Sequence, residues 1–107
     1  MQQLAVTALA QWLADPLREQ PQLLDVREPW EIATCALAGS ISIPMGEIPA
    51  RLDALDPDRP VVCICHHGVR SLHVAHFLSR QGFGQLFNLA GGIDAWAREV
   101  DPAMAVY

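Results

Sequence analysis

Five apolar residues in a row, Val61-Val62-Cys63-Ile64-Cys65, leave this chain few folds to choose from. Side chains on a strand point alternately to its two faces, so an unbroken apolar run must be buried on both. An antiparallel sheet with one wet face cannot do that. The middle of a parallel sheet covered by helices can. The run is followed by HHGVRS, and then Leu72, Val74, Ala75, Phe77 and Leu78 fall at helical spacing. Ser71 is a suitable N-cap for that helix and Gly82 a suitable C-cap. Residues 66–70 are therefore predicted to form a loop from strand to helix, with Cys65 at the carboxyl end of the strand. Ligands of open α/β sheets collect at that end, and helix N-termini favour anions through their unpaired N–H groups.

The remaining segments alternate at the spacing of strand and helix. Residues 3–6 suit a first strand, and Thr7 an N-cap for a helix carrying Leu9, Trp12 and Leu13 up to the stop at Asp15-Pro16. Residues 22–26 suit a second strand, Pro29 the first turn of a short helix ending before Gly39, and residues 41–43 a third strand. Ile48, Leu52 and Leu55 space a further helix that stops at Asp56-Pro57. The pattern predicts an α/β domain. With 107 residues and 51% apolar content, one core, a single domain over residues 1–107 and one site are expected.

Seven basic against 12 acidic side chains give a net charge of −5, so no broad cationic surface exists to attract nucleic acid or anionic lipid. No apolar run approaches the roughly 18 residues that cross a bilayer, and the first 20 residues lack the order of a signal peptide. A soluble, cytoplasmic protein is expected. Cys35, Cys63 and Cys65 are an odd, sparse set that suits free thiols in a reducing compartment better than a disulfide framework.

CICHHGVRS, residues 63–71, fits three chemistries. A metal centre needs three or four converging ligands, and Cys63, Cys65, His66 and His67 supply the atom types. No second CxxC or HxxxH cluster completes a shell, and Cys63 alone reads as a small buried apolar residue. A phosphate-binding catalytic loop is the second option. Cysteine-based phosphatases place five residues between cysteine and arginine, whereas CHHGVR has four, and a tighter ring of N–H groups suits a terminal sulfur better than a phosphoryl group. The third option is a loop that carries sulfur on its cysteine.

LLDVRE at 23–28, AGSISIP at 38–44, CHHGVRS at 65–71, GF at 82–83 and NLAGGIDAW at 88–96 stand in the order and spacing of the rhodanese family. Over nearly its whole length the chain resembles the short, single-domain sulfurtransferases of that family. The resemblance implies a rhodanese-like α/β fold, with a central five-stranded parallel sheet flanked by helices on both faces. It further implies that Cys65 accepts sulfane sulfur as a persulfide, from a donor such as thiosulfate, and passes it to cyanide or a thiol. It makes His66, His67, Gly68, Val69 and Arg70 the substrate-binding loop, in which the two histidines either tune donor choice or simply face solvent, with no metal or organic cofactor required. The ending AREVDPAMAVY resembles that of rhodanese domains fused to activating enzymes in sulfur transfer, which favours a sulfur-relay protein as partner.

Elementary chemistry supports the same residues. A thiol with an ordinary pKa near 8.5 is activated by a helix N-terminus and a nearby cation, and Cys65 is offered loop N–H groups and Arg70. Gly68 permits the turn that aims those N–H groups inward. Asp25 and Arg27 are expected to brace the strand ends as an ion pair, His73 and His76 to lie on the surface or in packing, and Cys35 to be an incidental helix residue. The family often has glycine and histidine where this chain has Cys35-Ala36, which puts a polar contact from that segment in doubt. Gly91-Gly92 are expected to allow a close chain approach at the start of the last helix, with Trp96 in the core.

Overall fold

The computed structural model describes residues 1–107. Ten elements follow in chain order: β1 Gln2–Leu4, α1 Val6–Ala14, β2 Gln22–Asp25, α2 Pro29–Thr34, β3 Ile41–Ser42, a 3-10 segment Met45–Ala54, β4 Val61–Ile64, α3 Val69–Ser79, β5 Leu86–Leu89 and α4 Gly92–Glu99. The five strands form one sheet in the order β1-β5-β4-β2-β3, and every pairing is parallel. No helix is long and apolar enough to cross a membrane.

β4 lies at the centre of the sheet, and its alternation divides the interior. Val61, Cys63 and Cys65 face Ile48, Val74, Ala75 and Leu78 from the 3-10 segment and α3. Val62 and Ile64 face Val6, Leu9, Trp12, Ile93 and Trp96 from α1 and α4. All five residues of the apolar run are at most 1% exposed, so the strand is buried on both faces, as its composition requires. The edge strands are short, and β1 is mostly exposed.

Three boundaries differ from the sequence reading. Ala5, not Thr7, precedes α1, because β1 ends at Leu4 and the helix starts directly after it. The predicted helix around Ile48, Leu52 and Leu55 is a 3-10 segment with non-helical dihedrals at Arg51; Pro49, inside it, has no N–H for an α-helical ladder. Gly68, not Ser71, is the N-cap of α3, at φ +101°. A side chain there would be strained by that φ, and its Cβ would sit 3.3 Å from the Leu89 carbonyl oxygen. Ser71 is free for another task because the helix begins two residues before it.

Candidate active site

The site is the turn from β4 into α3, at the carboxyl end of the sheet. Cys65 is 1% exposed, with its sulfur turned back into the loop. The Gly68 N–H donates to Sγ at 3.0 Å, and the Ser71 Oγ lies 3.3 Å from it. Burial alone would push the thiol up. Hydrogen bonds from the Ser71 hydroxyl and from the amides of Ser71, Gly68 and His67 outweigh burial and hold it below the ordinary thiol value. Cys63, two residues earlier on the same face, has no such donors; burial pushes it up to about 12, which makes it an inert core residue.

Ser71 is supported from β5. Its hydroxyl donates to Asn88 Oδ1 at 2.5 Å, while Asn88 Nδ2 donates to the Gly68 carbonyl and to Gln3 Oε1, both at 3.0 Å. Those two acceptors fix which way the amide faces. A hydroxyl has one proton, so Ser71 can give it either to Asn88 or to the sulfur. The Asn88-Ser71-Cys65 chain is therefore a donor that can swing toward negative charge on Sγ.

The far side of the loop rests on α4. Ile93 N–H donates to the Cys65 carbonyl at 2.9 Å and Asp94 N–H to the His66 carbonyl at 3.1 Å. These are the first amides of a helix, otherwise without partners. The approach is possible because residue 92 is glycine: a Cβ there would fall 2.5 Å from the Cys65 carbonyl oxygen and closer still to that of His66. The expected close approach at Gly91-Gly92 is thus a contact with the sulfur loop itself.

The loop side chains have separate surroundings. His66 is sandwiched, with the Tyr107 ring stacked at 3.8 Å on one side and His67 at 3.9 Å on the other. Burial, then the neighbouring His67, lower the pKa of His66. His67 is exposed, and Val69 turns its side chain to solvent at 65% exposure. Arg70 is paired: Nη1 and Nη2 donate to Glu31 Oε1 and Oε2 at 2.6 and 2.8 Å. The guanidinium holds the Glu31 carboxyl down to about 2, with help from the Tyr107 hydroxyl.

Behind that pair is a buried network. Arg27, 0% exposed, donates to both Asp25 oxygens, to the carbonyls of Glu31 and Cys35, and to the Tyr107 hydroxyl at 2.9 Å. Tyr107 in turn donates to Glu31 Oε2 at 2.7 Å. The expected Asp25–Arg27 ion pair is present at 2.7 Å. Cys35 contributes to this network through its backbone carbonyl, a contact that does not depend on the residue type there. His73 and His76 are exposed, and Trp96 is in the core, as the sequence suggested. Glu31, Asn88, Asp94 and Tyr107 were not anticipated at the site. Asn88 alone left a local signal, a polar residue inside Leu-Phe-Asn-Leu on a strand.

Comparison with known proteins gives consistent matches. The model of the rhodanese-like domain matches residues 9–99. A sulfurtransferase of Allochromatium vinosum is 42% identical over 98 residues, covering 92% of this chain and 90% of that protein. The thiosulfate sulfurtransferase GlpE of Actinobacillus pleuropneumoniae is 43% identical, over 50% of this chain and 49% of its own. The crystal structure of a rhodanese-related protein from Thermoplasma volcanium superposes with a TM-score of 0.82 at 31% identity, covering 94% of each chain. Domain match, relatives and sheet topology agree, and the chain belongs to the rhodanese-like domain family.

Proposed function

We propose that the protein is a sulfurtransferase that carries sulfane sulfur on Cys65. The observation that supports this most is the set of donors around a buried sulfur whose pKa is held below the ordinary thiol value. With thiosulfate as donor, the Cys65 thiolate attacks the outer sulfur, the S–S bond of thiosulfate breaks, and sulfite leaves with the electron pair. Charge is conserved, since a thiolate and a dianion become a persulfide anion and a dianion. The amides of His67, Gly68 and Ser71 then face the persulfide as they faced the thiolate. Cyanide or a thiolate attacks the terminal sulfur, takes it as thiocyanate or a new persulfide, and restores the Cys65 thiolate. His66, His67, Gly68, Val69 and Arg70 form the binding loop, and the protein works without metal or organic cofactor as one cytoplasmic domain.

A sulfur relay to a protein partner is the second reading, favoured by apolar side chains on the rim. Val69 is 65% exposed next to Gly68, and Trp30, 64% exposed, packs edge-on against Tyr107 at 5.6 Å. Such residues fit contact with a folded acceptor better than capture of a small ion.

Intact-protein mass after incubation with thiosulfate or with a small-molecule persulfide tests the proposal. A gain of one sulfur, about 32 Da, is expected in the wild type and not in Cys65→Ser. Addition to Cys35 or Cys63 instead, or to nothing with either donor, would remove the assignment.

A further inference from the structure

We propose that His66, His67 and Asp94 form a binding site for one Zn2+ ion, which pins the sulfur loop and slows sulfur transfer. The ligating atoms of these three side chains all lie within 4.8 Å of one another. Their proximity comes from backbone bonds. Asp94 N–H donates to the His66 carbonyl and Ile93 N–H to that of Cys65, so the first turn of α4 is fastened to the two residues at the start of the loop. A carboxylate is thereby held against a pair of adjacent imidazoles.

A second observation concerns His66 alone. Its Nε2 is buried without a hydrogen-bond partner, the only side-chain nitrogen or oxygen in the molecule of which this is true. Buried polar atoms are nearly always satisfied, and one that is not points to a missing partner. The ring is held in its plane by Tyr107, stacked on it at 3.8 Å. A metal ion bound at that nitrogen would supply the partner.

The donor set selects the ion. Two imidazoles and one carboxylate suit zinc, with a fourth position left for water, whereas Mg2+ and Ca2+ prefer oxygen donors throughout. Zinc bonds of about 2.0–2.2 Å need ligand atoms roughly 3.3–3.5 Å apart, so the cluster must tighten by about an ångström. His67 is exposed and can rotate, and Asp94 is tied only by an exposed pair with Arg98 at 3.0 Å. His66 stays fixed. Binding would thus cost the His66–His67 stack and draw both side chains toward α4, locking the two residues that follow Cys65. The inhibitory consequence rests on the sulfurtransferase reading; the binding does not.

Calorimetry of the metal-stripped full chain tests binding in Cys65→Ser, which removes the thiolate that could itself take zinc. One Zn2+ per chain and no response to Mg2+ are expected, with affinity falling about tenfold or more on adding His67→Ala or Asp94→Asn. Arg98→Ala should bind zinc at least as tightly, because it frees the carboxylate. In sulfur transfer, with each protein compared to its own zinc-free rate, Asp94→Asn should need about tenfold more zinc than the wild type for the same fractional inhibition. The proposal falls if Cys65→Ser takes up no zinc, or if Asp94→Asn binds it and is inhibited by it like the wild type. A protein without turnover would count against the sulfurtransferase reading and leave the zinc site to calorimetry.

Discussion

Arg70 and Glu31, 39 residues apart in sequence, meet as a planar fork with two contacts at 2.6 and 2.8 Å. The cation beside the sulfur loop is therefore already balanced by a carboxylate whose side chain is 4% exposed. Arg70 still acts on Cys65 through its charge, but Glu31 opposes that charge at close range. Glu31→Gln should unmask it. A lower thiosulfate KM, by a few fold, and a lower pH midpoint for alkylation of Cys65 are the expected outcomes. Arg70→Ala should do the reverse and more, since losing a charge-assisted contact costs roughly 1.5–3 kcal/mol, or about ten- to a hundredfold in kcat/KM. Arg70→Lys should restore only part, lacking the fork. Unchanged KM and alkylation profile in Glu31→Gln would show that the pair has no influence on donor or nucleophile.

The same pair makes stability depend on acid. The Glu31 carboxyl is lowered from 4.5 to about 2 in the folded chain, chiefly by its hydrogen bonds with Arg70. A depressed carboxyl stabilises the fold above its unfolded pKa, and that contribution is lost as pH falls through the folded value. The window therefore runs from about 4.5 down to about 2. At about 1.4 kcal/mol per unit, the full contribution is on the order of 3 kcal/mol. Urea unfolding at a series of pH values should show the wild type losing its advantage over Glu31→Gln across that window. A constant difference between the two would mean that Glu31 ionisation is not linked to folding.

The part of this molecule that follows local rules was legible from its residues. The central strand was readable because five apolar side chains in a row have one solution, and the loop because Cys65, Gly68 and Arg70 stand between that strand and a helical pattern. What surrounds the loop was not. Glu31 belongs to a helix start at Pro29 and carries no mark that it will reach Arg70. Tyr107 stacks on a residue 41 positions before it, and no periodicity encodes such a contact. Ser71 read as a cap by residue type; the glycine three positions earlier took the cap because only it tolerates φ +101°. That shift turned the serine inward to the sulfur.

Tyr107 ties the two charged pairs together, accepting from Arg27 at 2.9 Å and donating to Glu31 at 2.7 Å. Its ring also covers His66. Tyr107→Phe keeps the ring and removes both hydrogen bonds, leaving the fully buried Arg27 one acceptor short. A loss of about 1–3 kcal/mol in unfolding free energy is expected, with Tyr107→Ala losing more because the stack goes as well. Thermal or urea unfolding of the three proteins provides the measurement. Equal stability of Phe and Ala variants would show that the stack on His66 contributes nothing.

Ser71 offers the sharpest test of how the nucleophile is tuned, because its hydroxyl is the side-chain donor that lowers the Cys65 pKa against burial. With Asn88 as the alternative acceptor, the proton is shared when Cys65 is a thiol and drawn to Sγ when it is a thiolate. Ser71→Ala removes that donor and leaves the amides of residue 71, Gly68 and His67 in place. One hydrogen bond to an anion is worth roughly 1.5–3 kcal/mol, so the midpoint of Cys65 alkylation should rise by about one to two pH units. Sulfur transfer at neutral pH should fall in proportion to the thiolate fraction and recover as pH is raised. Ser71→Thr, which keeps the hydroxyl, should recover part of the shift if the extra methyl is accommodated. Asn88→Ala should shift the midpoint the other way, since it frees the Ser71 proton for the sulfur. A midpoint in Ser71→Ala equal to the wild type would mean that the backbone amides alone overcome burial at Cys65.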